Sequence, residues 1–149
     1  MNDSPLNLYR KRVLEHHREP RNRRRAVDAD RQVVGFNPLC GDKLTVYITL
    51  NEDELADVAF EGTGCAISIA SASMMTEVLA GADAETARQL VTEVEKMFAG
   101  NGELTDPRLE ELKSLGSVKQ YPSRIKCATL AWRAAANALQ DKSEQVTTE

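Results

Sequence analysis

Three cysteines and one aspartate are the residues of this chain best suited to chemistry. They are Cys40 and Asp42 in "NPLCGD", Cys65 in "GTGCAIS" and Cys127 in "RIKCATLAW". Three thiolates and a carboxylate make a complete tetrahedral donor set for Zn²⁺, and the same groups can hold iron in a cluster. The cysteines stand 25 and 62 residues apart, so none forms a C-x-x-C pair, and only the fold could assemble a shared site. Free cysteine also fills apolar cores, so spacing alone leaves both readings open. Local context is more informative. Cys65 follows Gly62 and Gly64 at the start of a helical pattern, where unpaired amides and the helix dipole favour a thiolate. Cys40 sits on a proline–glycine loop with Asp42 two residues on.

The elements that must position these residues follow from patterning. "SPLNLYRKRVLEHHREP" reads as a first helix, with Ser4 as N-cap, Pro5 in the first turn, and Leu6, Tyr9, Val13 and His17 on one face. Three strand candidates come next: "QVVGFN", "KLTVYITL" and "LADVAFEG", the last two joined by a "NEDE" hairpin. In the second, Leu44, Val46, Ile48 and Leu50 alternate inward against Thr45, Tyr47 and Thr49, as expected of an antiparallel sheet with one wet face. "CAISIASASMMTEVLAG" then reads as a helix ended by Gly81. Its small residues Ala66, Ser68, Ala70, Ser71, Ala72 and Ser73 would let a neighbouring helix come near. A helix over 84–98, a short one from Pro107, a "VKQYP" loop and a final helix "SRIKCATLAWRAAANALQ" capped by Ser123 complete the pattern, with Cys127 on the face of Ala131, Ala134 and Ala138. Strands first and helices afterwards indicate one α+β domain over 1–141, a small antiparallel three-stranded sheet with helices packed on one face, and a flexible tail over 142–149.

Composition narrows the function. A chain of 149 residues with 42% hydrophobic and 28% charged residues is a soluble globular protein, and no apolar run approaches the roughly 20 residues that cross a bilayer. The opening "MNDSPLNLYRKRVLEHH" has no signal-peptide character, so a cytoplasmic protein with reduced thiols is expected. The first 25 residues carry a surplus of +5, leaving −9 over the rest. The basic stretch Arg18 to Arg25 reads as a solvated linker or as a contact for an acidic partner; it has no interleaved aromatics, so a nucleic-acid role is not supported. His16 and His17 lie on the basic first helix with only Glu15 and Glu19 close by, which argues against a cysteine–histidine hydrolase. A purely structural zinc domain fits poorly with a cysteine at a "GTGC" helix start, because structural sites are usually closed knuckles.

In their order after an N-terminal helix, "NPLCGD", "GTGCAISIASASMM" and "RIKCATLAW" resemble the U-type iron–sulfur cluster assembly proteins, the IscU/NifU N-terminal family, over roughly residues 4–140. The resemblance implies a SufE/NifU-like α+β fold in which Cys40, Asp42, Cys65 and Cys127 converge near one end. It also implies sulfur received from the persulfide of a cysteine desulfurase and passed to cluster assembly or carrier proteins, by a monomer. Lys126 stands where classical scaffolds carry a histidine, the Leu-Pro-Pro-Val-Lys segment that an Hsp70 chaperone reads is missing from "SVKQYPSRIK", and the stretch around "AGNGELTDPRLEELKSLG" is lengthened. These departures resemble the SufU branch, which implies Zn²⁺ on the three cysteines and the aspartate, a SufS-type desulfurase as partner, and Cys40 as sulfur acceptor, freed when a desulfurase histidine takes its place. The alternative is an IscU-type scaffold on which a 2Fe–2S cluster is built on the same residues. Lys126 would bias the site toward anions or simply be solvated.

Overall fold

The computed structural model describes residues 5–100, 102–142 and 145–148, apart from the side chains of 5–9 and 117. The expected cap Ser4 and the side chains of Leu6 and Tyr9 lie outside the described residues. The element order is α1 (Pro5–Arg18), β1 (Arg31–Asn37), β2 (Asp42–Asn51), β3 (Glu54–Thr63), α2 (Ala66–Leu79), α3 (Ala84–Phe98), a 3₁₀ run (Pro107–Gln120), α4 (Pro122–Leu139) and β4 (Val146–Thr147).

The sheet has four strands in the order β3-β2-β1-β4, not three. The strands expected from alternation form an antiparallel meander, with Val46 opposite Val33 on one side and Phe60 on the other. The fourth strand comes from the segment expected to be a flexible tail: Val146 and Thr147 pair in parallel with Gly35 and Phe36. Two residues carry too weak a pattern to register as a strand; they form one because β1 offers them a free edge. Tyr47 is a second difference. It stands on the face opposite Val46 and Ile48, yet it is buried and donates its hydroxyl to Glu61 across the β2–β3 pair. Burial, first, and the Glu61 carboxylate push its phenol up to about 12.

On the other face α4 lies against β1 and β2, and α2 against β3. A Cβ built on Gly35 would meet Leu130 Cδ1 at 3.0 Å, so α4 and β1 come together where β1 has no side chain. Every residue of α2 from Ile67 to Thr76 is buried, as expected of a helix apolar or small on all sides. Its serines serve both neighbours. Ser71 Oγ donates to the Ala128 carbonyl of α4 at 2.6 Å and accepts from Trp132 Nε1 at 3.0 Å. Ser73 Oγ lies 2.7 Å from His16 Nδ1 of α1 and accepts from the Arg21 amide at 2.8 Å.

On α1, His16 is the inward residue and His17 the exposed one, one position away from the expected face. Histidine spacing of three and of four both fit a helical stripe, and only packing against α2 selects between them. His16 Nε2 lies 2.6 Å from Glu111 Oε1 and 3.9 Å from Glu77, while Arg21 Nε is 4.0 Å from Glu77. A histidine already in direct hydrogen bond to a carboxylate, with a guanidinium beside it, joins α1, α2 and the 3₁₀ run and acts as a structural tie.

The basic stretch is docked. Phe60 donates to the Asn22 carbonyl at 3.0 Å and accepts from the Arg24 amide at 2.8 Å, covering the free edge of β3. Arg21 pairs with Glu15, Arg24 with Asp57, and Arg23 donates to the Gly62 carbonyl at 2.8 Å. "VKQYP" continues the 3₁₀ run as far as Gln120, and α4 starts one residue earlier than its expected cap, with Tyr121 at the N-cap, Pro122 at the first helical position and Ser123 inside. Proline at N1 lacks only an amide that would be unbonded there anyway.

Candidate metal centre

The four residues singled out in the sequence come from three junctions, and strand register explains why they meet. Asn37, the last residue of β1, pairs with Asp42, the first of β2; Cys40 therefore occupies the turn between them. Gly41 takes φ +72°, a conformation that the residue after Cys40 needs and that glycine supplies without strain. Lys43 in turn pairs with Thr63, the last residue of β3, so Cys65 emerges two residues beyond that pair, beside Asp42. Gly64 permits the approach: a Cβ there would stand 3.0 Å from Asp42 Oδ1 and 3.0 Å from Ser68 Cβ. Cys127 is the sixth residue of α4, the helix packed over β1 and β2.

Cys40 Sγ, Asp42 and Cys127 Sγ form a group whose ligand atoms all lie within 4.8 Å of one another. Cys127 Sγ is 3.5 Å from Cys40 Sγ. Cys65 stands just outside that group and is tied to it through its amide, which donates to Asp42 Oδ1 at 2.9 Å. Exposure is graded. Cys40 is exposed, Cys65 half-buried, and Cys127 and Asp42 fully buried. Lys126, next to Cys127, is partly exposed.

Charge is unevenly shared among the thiols. The Cys127 thiol and the amide and hydroxyl of Ser68 hold Cys65 down at about 5, which favours its thiolate. Its contact with Cys65, burial and Cys40 push Cys127 up. A buried acid beside a thiolate keeps its proton unless a cation replaces that proton.

Two polar side chains that the linear pattern did not single out complete the site. Asn37 is fully buried and donates from Nδ2 to Asp42 Oδ2 at 2.9 Å and to Cys127 Sγ at 3.5 Å. Ser68 Oγ lies 3.6 Å from Cys65 Sγ. Their signals were present in the letters: Asn37 opens "NPLCGD" and Ser68 is one helical turn beyond Cys65.

The donor set fits a tetrahedral thiolate-rich metal. Zinc–sulfur bonds of about 2.3 Å place two sulfurs about 3.8 Å apart across a tetrahedron, close to the 3.5 Å between Cys40 and Cys127.

An α+β sheet-and-helix fold that gathers three separate cysteine motifs and one aspartate at the same end defines a class of small thiol-bearing proteins. Residues 8–148 match the NifU-like N terminal domain, and the chain belongs to that family. It is 41% identical over 128 residues to the zinc-dependent sulfurtransferase SufU of Bacillus subtilis, covering 85% of this chain and 86% of that one. It is 38% identical over 137 residues to the iron–sulfur cluster assembly scaffold protein IscU of Streptococcus pyogenes, covering 91% and 86%. Among solved structures it is similar to a putative iron–sulfur cluster assembly scaffold protein for the SUF system from Fervidobacterium islandicum, with a TM-score of 0.82, 32% identity and coverage of 89% and 96%. An N-terminal NifU-like protein from Brucella abortus superposes with a TM-score of 0.82 at 26% identity, covering 92% and 96%.

Proposed function

We propose that this chain is a zinc-dependent sulfur acceptor of the SufU type, with Cys40, Asp42, Cys65 and Cys127 as the metal-binding residues and Cys40 as the acceptor. The observation that carries the reading is the graded exposure of one converging donor set: the buried Cys127 and Asp42 and the half-buried Cys65 are anchors, and Cys40 on its turn is the thiol a partner can reach. The SufU relative's similarity over most of both chains supports the same choice. Bound zinc would supply the positive charge that keeps all three sulfurs deprotonated, and its binding would add to folding stability.

The chain's own contribution is thiol exchange. Cys40 Sγ attacks the outer sulfur of a desulfurase persulfide; the new S–S bond forms on Cys40 while the persulfide S–S bond breaks. The electron pair leaves with the desulfurase cysteine as its thiolate, so one thiolate is consumed and one released. Cys65, Asp42 and Cys127 stay in place, held by α2, β2 and α4. The partner is a SufS-type cysteine desulfurase, and the sulfur passes onward to cluster assembly or carrier proteins.

The test is cysteine turnover by a SufS-type desulfurase with and without this protein, alongside zinc analysis of the purified chain. Wild type should contain about one zinc and stimulate turnover; Cys40→Ala should abolish stimulation. Undiminished stimulation by the variant would remove Cys40 from the acceptor role. The similarity to IscU scaffolds supports a second reading, a scaffold carrying a 2Fe–2S cluster on the same residues. Anaerobic reconstitution giving a visible cluster spectrum, from protein that contains no zinc as purified, would favour it.

A further inference from the structure

The last strand reaches into the donor set through a buried amide. Thr148 is 4% exposed; its amide donates to the Phe36 carbonyl at 3.1 Å, and its Oγ1 donates to Asn37 Oδ1 at 2.9 Å. Asn37 is fully buried, and its Nδ2 donates to Asp42 Oδ2 and Cys127 Sγ. Every polar atom of that side chain is thereby used, and the Asp42 carboxylate, which only accepts, assigns the nitrogen to its side and leaves the oxygen for the Thr148 hydroxyl. Turned over, the amide would set its carbonyl oxygen against the Asp42 carboxylate, two acceptors facing each other.

We propose that Thr148 is a positioning residue for the metal-binding site, holding Asn37 in the one orientation that fixes the Asp42 carboxylate and the Cys127 sulfur. The segment Val146–Thr148 thus acts as a clasp, coupling the docking of β4 to the geometry of two donors drawn from β2 and α4. Outer groups that hydrogen-bond metal ligands commonly change affinity by about 10- to 100-fold when removed. Thr148 acts at one remove, through Asn37, so the lower end of that range is expected. The metal part of this inference rests on the zinc reading above; the hydrogen-bond relay does not.

The experiment uses the full chain and three variants: Thr148→Val, which keeps the branched shape and removes the hydroxyl, Thr148→Ser, which restores it, and Asn37→Ala. Zinc affinity is measured by chelator competition on protein shown to be folded by circular dichroism. In parallel, the Asn37 side-chain NH₂ resonances of the metal-free protein are followed by NMR, assigned by their loss in Asn37→Ala. Thr148→Val should bind zinc about tenfold more weakly and lose the solvent protection of the Asn37 NH₂ signals, and Thr148→Ser should recover both. Wild-type zinc affinity in folded Thr148→Val would overturn the coupling, and unchanged Asn37 protection would overturn the relay. If wild type itself binds no zinc, the zinc reading fails, while the NMR comparison still decides whether Thr148 orients Asn37.

Discussion

The three cysteines differ by environment, and their reactivity should follow. Cys65 sits at the N-cap of α2 with the Cys127 thiol and Ser68 around its sulfur, which holds it down at about 5. An ordinary thiol of pKa about 8.5 loses alkylation rate about tenfold per pH unit on acidification. In metal-free protein the Cys65 rate should instead stay nearly flat from neutral pH down to about 5 and fall only below that. Cys127, buried and pushed up, should remain unlabelled at pH 7. Timed alkylation with peptide mapping reads both. A Cys65 rate that falls steadily from pH 8 would contradict this arrangement.

Elements place these side chains, and two close approaches between elements carry much of that placement. Gly62 has φ +130°, and a Cβ there would stand 2.1 Å from the Lys43 carbonyl oxygen, so β2 and β3 meet only because the position is glycine. Gly62→Ala should destabilise the fold by about 3 kcal/mol in urea unfolding and loosen zinc retention, because Cys65 leaves the sheet three residues later. Between α2 and α4, Ser71 both donates to Ala128 and accepts from Trp132. Ser71→Ala strands a buried indole N–H, while the Ala128 carbonyl keeps its helical partner, an expected loss of about 1–3 kcal/mol with little change in zinc affinity. Equal loss of zinc in both variants would mean that the metal-binding residues report general stability rather than the β3–α2 junction.

For the whole molecule, acid sensitivity has a defined contributor away from the cysteines. Glu93 of α3 accepts from the Thr105 amide, from Thr105 Oγ1 at 2.9 Å and from the Asp106 amide at 3.1 Å, fastening the approach to the 3₁₀ run onto α3. These amides hold the Glu93 carboxyl below its ordinary 4.5. A folded value lowered in this way stabilises the protein fully above the unfolded value and is lost as pH falls through the folded one. Glu93→Gln should therefore lower the melting temperature at neutral pH and flatten its decline below about pH 4.5, because the variant has no proton to take up. Parallel melting curves for variant and wild type across the acid range would show that Glu93 contributes nothing to this dependence. Among the described residues no helix is long and apolar enough to cross a membrane.

Much of the fold was legible in the letters because it depends on short-range periodicity. The alternation of β2, the "NEDE" hairpin, the bounds of α3 and the small-residue face of α2 are local patterns, and the structure carries them. What local pattern could not supply was choice among equivalents. His16 rather than His17 turns inward because Ser73 and Glu111 are there to meet it. Tyr47 is buried on the face that alternation leaves wet, and residues 146–147 become a strand only because β1 has an open edge.

By itself the sequence determined which residues could carry chemistry: three thiols and a carboxylate, each at an element junction, in motifs that marked the family. Tertiary structure alone decided that Cys40, Asp42 and Cys127 lie within 4.8 Å, that Cys65 is joined to them through Asp42, and that Asn37 and Thr148 stand behind them. The physical reason is that donor types and turn chemistry are properties of neighbouring letters. Distances between residues 40 and 127 depend on strand register and helix packing, which exist only once the whole chain has closed on its core.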